Sequence, residues 1–264
     1  QTCALPIYLA HAGISPLSTP VVNAITGLAQ SLARQGAGAI GPILEMRQNL
    51  RQKLGQLLHC SPQDLALTPG TSWGVLAIAQ NFPWRSQDRI VLFRGEFPTN
   101  VTPWQQAAQQ HSLQLSYLEA EDFRQSKGLE LLERELQKGV RLLAVSAVQF
   151  QSGLRMPLED IVQLCRSYGC QVFVDAIQAC GVVPIAPQHL GIDYLAGGAH
   201  KWLMASEGCG FLYVAPERQS DLRRHWSAWL SHQDPIRFLF EGPGELRYDR
   251  PLREEIQALE LGSS

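Results

Sequence analysis

CQVFVDAIQACGVVPIAPQHLGIDYLAGGAHKWL, residues 170–203, is the stretch on which the fold turns. Its uniformly apolar run Val172-Phe173-Val174 ends on an acid, Asp175. An apolar run without polar alternation predicts a strand buried on both faces, here over 170–178. DYLAGGAHKWL (193–203) contains another short strand, and GFLYV (210–214) one more. Upstream, RIVLFR (89–94) and RLLAVSAVQF (141–150) read the same way. Helical signals lie between them. Ile43, Met46, Leu50, Leu54, Leu57 and Leu58 recur at three- and four-residue steps over 42–59. PWQQAAQQHS (103–112) opens with proline, and GLELLERELQKG (128–139) is amphipathic with a glycine stop. A further helix starts at Pro157 and ends at Gly169, with Leu158, Ile161, Val162, Cys165 and Tyr168 on its inner face. After LALT and Pro69-Gly70, Thr71 and Ser72 are N-cap candidates for an apolar helix running to about Gln80. Strands alternating with helices predict a three-layer α/β domain around a mostly parallel sheet. In such sheets ligands collect at the carboxyl ends of the strands.

The bulk numbers exclude several other classes. The chain has 264 residues, 45% hydrophobic and 17% charged, with net charge -2. That balance offers no basic field for nucleic acid and no polybasic membrane patch. No apolar run reaches the ~18–20 residues that span a bilayer. The six cysteines (Cys3, Cys60, Cys165, Cys170, Cys180, Cys209) lack zinc-site spacing, so no metal is expected; they fit a reducing, cytoplasmic setting as small apolar residues. QTCALPI (1–7) carries no signal-peptide pattern and is expected to be a non-native leader. PLREEIQALELGSS stops without a closing element, which suggests a fragment.

Four lysines occur: Lys53, Lys127, Lys138 and Lys201. The first three have ordinary surface or helix-end settings. Lys201 follows Gly-Gly-Ala-His in a stretch nearly free of charge, where an ammonium is costly unless paired or chemically used. Desolvation there lowers the pKa of an amine, as a Schiff-base lysine requires; a snorkelling surface lysine is the alternative. Asp175 is either a helix N-cap or the acid that a pyridine nitrogen needs, and Gln178, three residues on, could donate to a ring oxygen. Gly70-Thr71-Ser72 is either a plain cap or a phosphate cradle at a helix N-terminus. In order along one chain, Gly-Thr-Ser, Asp-x-x-Gln and His-Lys supply a phosphate cradle, a ring partner and an aldehyde partner.

Together these motifs resemble the class V aminotransferases, enzymes dependent on pyridoxal 5′-phosphate (PLP) that include cysteine desulfurases, kynureninases, cysteine lyases and isopenicillin N epimerase-like members. The resemblance runs from about Tyr8 to the last residue, through YLAHAGISPL, LTPGTSWGVLAIA, GEFPTNVTPW, VSAVQFQSGLRMPL, VFVDAIQACGVVPI and DYLAGGAHKWLMASEGCGFLYV. It implies a fold type I large domain over 8–245, with 246–264 beginning a truncated C-terminal portion, and homodimers with active sites at the interface. By position, Lys201 is the Schiff-base lysine, Asp175 the pyridine partner and Gln178 the O3′ partner. Thr71 and Ser72 match phosphate contacts, as does His200, and Phe97 falls where an aromatic ring or histidine stacks on the cofactor. Asn100 stands where kynureninases tend to carry Asp, and Gly198 where desulfurases have a phosphate-binding Ser. Ser206-Glu207-Gly208 resembles the epimerase- and lyase-like members more than desulfurases. The implied substrate is an amino acid, handled by an epimerase- or lyase-like reaction, with desulfurase or transaminase chemistry as the alternative. A missing C-terminal domain would carry the arginine for the substrate carboxylate, and Cys180 and Cys209 sit in apolar contexts unsuited to nucleophiles. Two readings from other classes stand beside this one. A nucleotide-binding α/β protein lacks its glycine fingerprints here. A non-catalytic relative fits poorly with intact Asp-x-x-Gln and His-Lys.

Overall fold

The computed structural model describes residues 8–262, so the expected leader (1–7) lies outside them. In chain order the main elements are α1 (Thr19–Gln35), α2 (Ile40–Leu58), β1 (Leu65–Thr68), α3 (Thr71–Asn81), β2 (Arg89–Arg94), α4 (Thr102–His111), β3 (Gln114–Glu119), α5 (Lys127–Leu136), β4 (Val140–Ser146), α6 (Leu158–Ser167), β5 (Gln171–Asp175), β6 (Tyr194–Gly198) and β7 (Gly210–Val214). The seven strands form one sheet in the order β1-β7-β6-β5-β4-β2-β3. β7 runs antiparallel to both its neighbours, and every other pairing is parallel. The mostly parallel, three-layer expectation therefore holds.

Two-residue periodicity sorts each central strand between the two faces. Val91, Phe93, Leu143, Val145, Val172 and Val174 face one side, where Leu54, Leu58, Leu132, Leu136, Ile161 and Cys165 of α2, α5 and α6 cover them. Ile90, Leu92, Leu142, Ala144 and Phe173 face the other, under Val75 and Ile78 of α3 and Trp104 of α4. Trp104, read as core, is fully buried. Burial on both faces explains why these strands read as solid apolar runs.

Several boundaries and faces differ from the sequence reading. The strand expected over 170–178 stops at Asp175, and that expected over 141–150 stops at Ser146. The chain must turn there, because the sheet ends at its carboxyl edge. Tyr168, expected on the inner face of α6, is 38% exposed beyond the helix end, and its hydroxyl donates to Glu133. A Tyr there keeps its polar tip wet. Met46 and Leu57 of α2 are exposed as well. The N-cap of α3 is Gly70, not Thr71 or Ser72, and no side chain caps that helix.

The parallel strands follow chain order outward in both directions from β4: β5 and β6 one way, β2 and β3 the other. Order thus reverses between β4 and β2, the switch point where such sheets open a crevice.

Candidate active site

At the carboxyl edge of the parallel strands a cavity of about 370 Å³ is lined by Pro69, Gly70, Thr71, Ser72, Trp73, Phe97, Thr99, Asp175, Ile177, His200, Lys201, Glu207 and Gly208. Each strand delivers its residue in the turn that follows it. β1 leads through Pro69-Gly70 into the first turn of α3, β2 into Phe97 and Thr99, β5 ends on Asp175, and β6 leads into His200-Lys201. Six of the seven residues singled out in the sequence line this one cavity: Thr71, Ser72, Phe97, Asp175, His200 and Lys201.

Asp175 is buried at 2% exposure. Its Oδ1 accepts from the Ile177 N–H (2.9 Å) and closes a turn, but no helix starts there, so the helix N-cap alternative is not met. That bond does not exclude a second role, because a carboxylate offers two oxygens. Burial pushes its pKa up to about 7, the Ile177 bond opposes that rise, Glu96 adds to it and Lys201 opposes it. Lys201 is half-buried, and burial lowers its pKa while the Asp175 charge raises it. Its Nζ sits 5.7 Å from the centroid of the Phe97 ring. Phe97 is 46% exposed and packs edge-on against Phe150, so it faces the cavity and not the core. His200 has its pKa lowered by burial and then by Lys201, with Glu207 opposing. Its imidazole is therefore held toward the neutral form.

At the other end of the cavity, Thr71 Oγ1 is buried with no hydrogen-bond partner, at the start of α3 where the helix has no side-chain cap. First-turn N–H groups are unpaired in any helix, and an anion satisfies them. Ser72 Oγ and Thr99 Oγ1 are 2.8 Å apart beside it. A Cβ on Gly210 would come within 2.5 Å of Gly70 Cα, so glycine there lets the cradle loop lie against β7. A Cβ on Gly198 would meet Ile177 Cδ1 at 2.9 Å and Thr71 Oγ1 at 3.1 Å. A side chain at that position would need Ile177 and Thr71 to give way by a few tenths of an ångström.

Gln178 is the exception. It does not line the cavity: Nε2 donates to the Ala12 carbonyl (2.9 Å) and Oε1 accepts from Trp202 Nε1 (2.9 Å). It ties the N-terminal segment to the Lys201 loop, a setting the Asp-x-x-Gln spacing does not disclose. Ser15, which sequence reasoning passed over, adds to the tie. Its N–H donates to the His200 carbonyl (2.9 Å) and its hydroxyl to the Lys201 carbonyl. With that proton committed, Ser15 Oγ accepts from His11 Nδ1 at 2.6 Å. Ser15 is buried, so Ser15→Ala leaves two groups unsatisfied and is expected to cost about 1–3 kcal/mol in urea unfolding. Unchanged stability would show that the strap holds nothing. Thr99 and Glu96 were missed too, although GEFPTN was noticed; nothing in their spacing separates them from turn residues. Cys180 and Cys209 have thiols raised by burial, which keeps them protonated and unreactive.

Set against known proteins, the chain is 28% identical over 226 residues to the uncharacterized aminotransferase YcbU of Bacillus subtilis, covering 85% of this chain and 59% of that protein. It is 25% identical over 217 residues to the isopenicillin N epimerase of Streptomyces clavuligerus, covering 81% and 54%. The chain therefore spans between half and three fifths of the length of these curated relatives. In structure it is similar to a C-DES mutant with glycine covalently linked to the PLP cofactor, with a TM-score of 0.88 at 23% identity, covering 99% of this chain and 68% of that one. Residues 7–228, which hold every side chain of the cavity, match the aminotransferase class-V family, and the chain belongs to that family.

Proposed function

We propose that the cavity holds PLP and that the protein acts on an amino acid through Lys201. The observation that carries this reading is the convergence, in one crevice, of an orphaned buried hydroxyl at a helix N-terminus, a buried acid and a half-buried lysine of lowered pKa. Bound PLP supplies an aldehyde for an amine and a protonated ring that withdraws electrons from the substrate's Cα.

The chain's own residues have distinct tasks. Thr71 Oγ1, Ser72 Oγ and the first-turn N–H groups of α3 hold the phosphate. His200, kept toward neutrality, donates without adding a charge that would further depress Lys201. Asp175 holds a proton at the ring nitrogen, and desolvation makes that pairing strong. Phe97 covers one ring face and excludes water from it. Lys201 would hold the aldehyde and would move a proton to or from Cα; its lowered pKa suits that use. Gln178, outside the cavity, ties the Lys201 loop to the N-terminal segment through Trp202 and Ala12.

An epimerase- or lyase-like reaction is favoured over desulfuration. The three departures from desulfurase pattern, Phe97, Gly198 and Glu207, all lie in or against the cavity. The test is exchange of the Cα proton of amino acids in D2O, followed by NMR with and without PLP. Exchange that depends on PLP is expected for at least one amino acid. No exchange from folded, PLP-loaded protein across all common amino acids of either hand would contradict the reading.

Stacking has its own consequence. Phe97→Ala removes the ring face and is expected to weaken PLP binding by about two- to tenfold, the scale of one lost aromatic contact of 0.5–1.5 kcal/mol. Equilibrium dialysis measures it, and unchanged affinity would return Phe97 to a packing role against Phe150.

A further inference from the structure

Behind Asp175 sits a second buried carboxylate. Glu96 follows β2, is 8% exposed and does not line the cavity. Its Oε1 accepts from the Ser146 N–H (2.8 Å) and from Gln149 Nε2 (3.0 Å), and its Oε2 accepts from the Ser146 hydroxyl. The Asn100 amide lies near enough to favour the charge, although its Nδ2 makes no hydrogen bond of normal geometry. Ser146 is the residue paired with Asp175 across β4 and β5, and the Ala147 N–H donates to the Asp175 carbonyl (2.8 Å). Glu96 thus reaches across the switch point and is fixed to the backbone beside Asp175. Burial raises its pKa while these donors lower it, and its charge in turn raises that of Asp175.

Two buried carboxylates side by side are expensive unless something positive shares the space. The Lys201 charge lowers the pKa of Asp175. Once that amine is bound to an aldehyde or displaced, its free charge is no longer available. The carboxylate uses both oxygens as acceptors, where an amide would offer one, so the donors around Glu96 match the ionised acid.

We propose that Glu96 is a positioning residue for the cofactor: its carboxylate, anchored on Ser146 behind Asp175, supplies a second negative charge that keeps a proton on the ring nitrogen. Asp175 makes the contact, and Glu96 acts through it. The inference rests on the PLP reading above.

The test compares two ligands, PLP and its analogue with C–H in place of the ring nitrogen, by equilibrium dialysis at pH 8. The parent protein is expected to prefer PLP, because only PLP carries the proton that the two carboxylates hold. In Glu96→Gln that preference is expected to fall by about tenfold, the effect of one pKa unit on the proton's hold. Binding of the analogue stays within twofold on the same grounds. A structural role would lower both affinities together and leave the ratio unchanged, and that result overturns the proposal. If Glu96→Gln binds neither ligand, Ser146→Ala serves instead. It removes the hydroxyl donor and shifts Glu96 toward its neutral form, so the preference for PLP falls; an unchanged ratio there overturns the proposal too. A parent protein that binds neither ligand refutes the PLP reading itself, whereas equal binding of both refutes only the role of Glu96.

Discussion

Lys201→Ala is expected to lower turnover by on the order of 10³–10⁴-fold or more, the scale lost when a positioned proton carrier is removed, with covalent attachment lost as well. It is also expected to release PLP during dialysis that the parent protein survives. The reason lies in the environment of the amine. Lys201 is half-buried, its pKa is lowered first by desolvation, and it shares the cavity with Asp175 and the Phe97 ring. Lys53, Lys127 and Lys138 are exposed; Lys127 pairs with Asp122 and Lys138 with Glu135. None of them can substitute. Removing the amine also removes a charge that offsets buried Asp175, so the variant is expected to fold but to unfold at a somewhat lower temperature than the cofactor-free parent above pH 7. Retained turnover in a well-folded Lys201→Ala protein would remove the lysine from the chemistry.

Asp175→Asn is expected to move stability and activity in opposite directions. In the cofactor-free protein burial pushes the Asp175 carboxyl from the ordinary 3.8 up to about 7. Between those values the folded state keeps a proton that the unfolded chain has released. Stability contributed by this group is therefore fully present below about pH 4 and is lost as pH rises toward 7. Asparagine has no proton to lose. At pH 8 the cofactor-free variant is expected to be more stable than the parent by on the order of 4 kcal/mol, and at pH 4 the two are expected to be nearly equal. Turnover, by contrast, is expected to fall by roughly 10²–10⁴-fold, because the amide cannot hold a proton on the ring nitrogen. Chemical denaturation at the two pH values and a turnover assay at pH 8 provide the check. A variant less stable than the parent at pH 8, or one as active, would contradict the assignment.

The sheet was legible because burial on both faces left a simple mark, four-to-six-residue apolar runs each ending at a turn. Elements on the rim left less. β3 alternates only loosely in QLSYLE and four of its first five residues are partly exposed; it was not foreseen. Nor was α1, none of whose residues is buried and whose Val22, Ile25 and Leu32 are exposed. The candidate site was legible where a residue type conflicts with its surroundings, an acid ending an apolar strand or a lysine in an uncharged loop. Thr71 and Ser72 were placed at the right helix end but in the wrong role for it, since Gly70 occupies the cap and leaves the Thr71 hydroxyl without a partner. Glu96, Ser15 and Thr99 stayed hidden for a common reason. Each does its work through a partner distant in sequence, Ser146, Lys201 and Ser72 respectively, and local spacing carries no trace of such pairs. Gln178 shows the converse: its motif is intact, yet its amide is turned to Ala12 and Trp202.

The central claim is that one amine in this chain bonds the cofactor. The most direct measurement is borohydride reduction of the PLP-treated protein, followed by proteolysis and mass spectrometry of the lysine peptides. A single pyridoxyl group on Lys201, with none on Lys53, Lys127 or Lys138, is the result predicted. No label on folded protein, or label spread over the surface lysines, would contradict it.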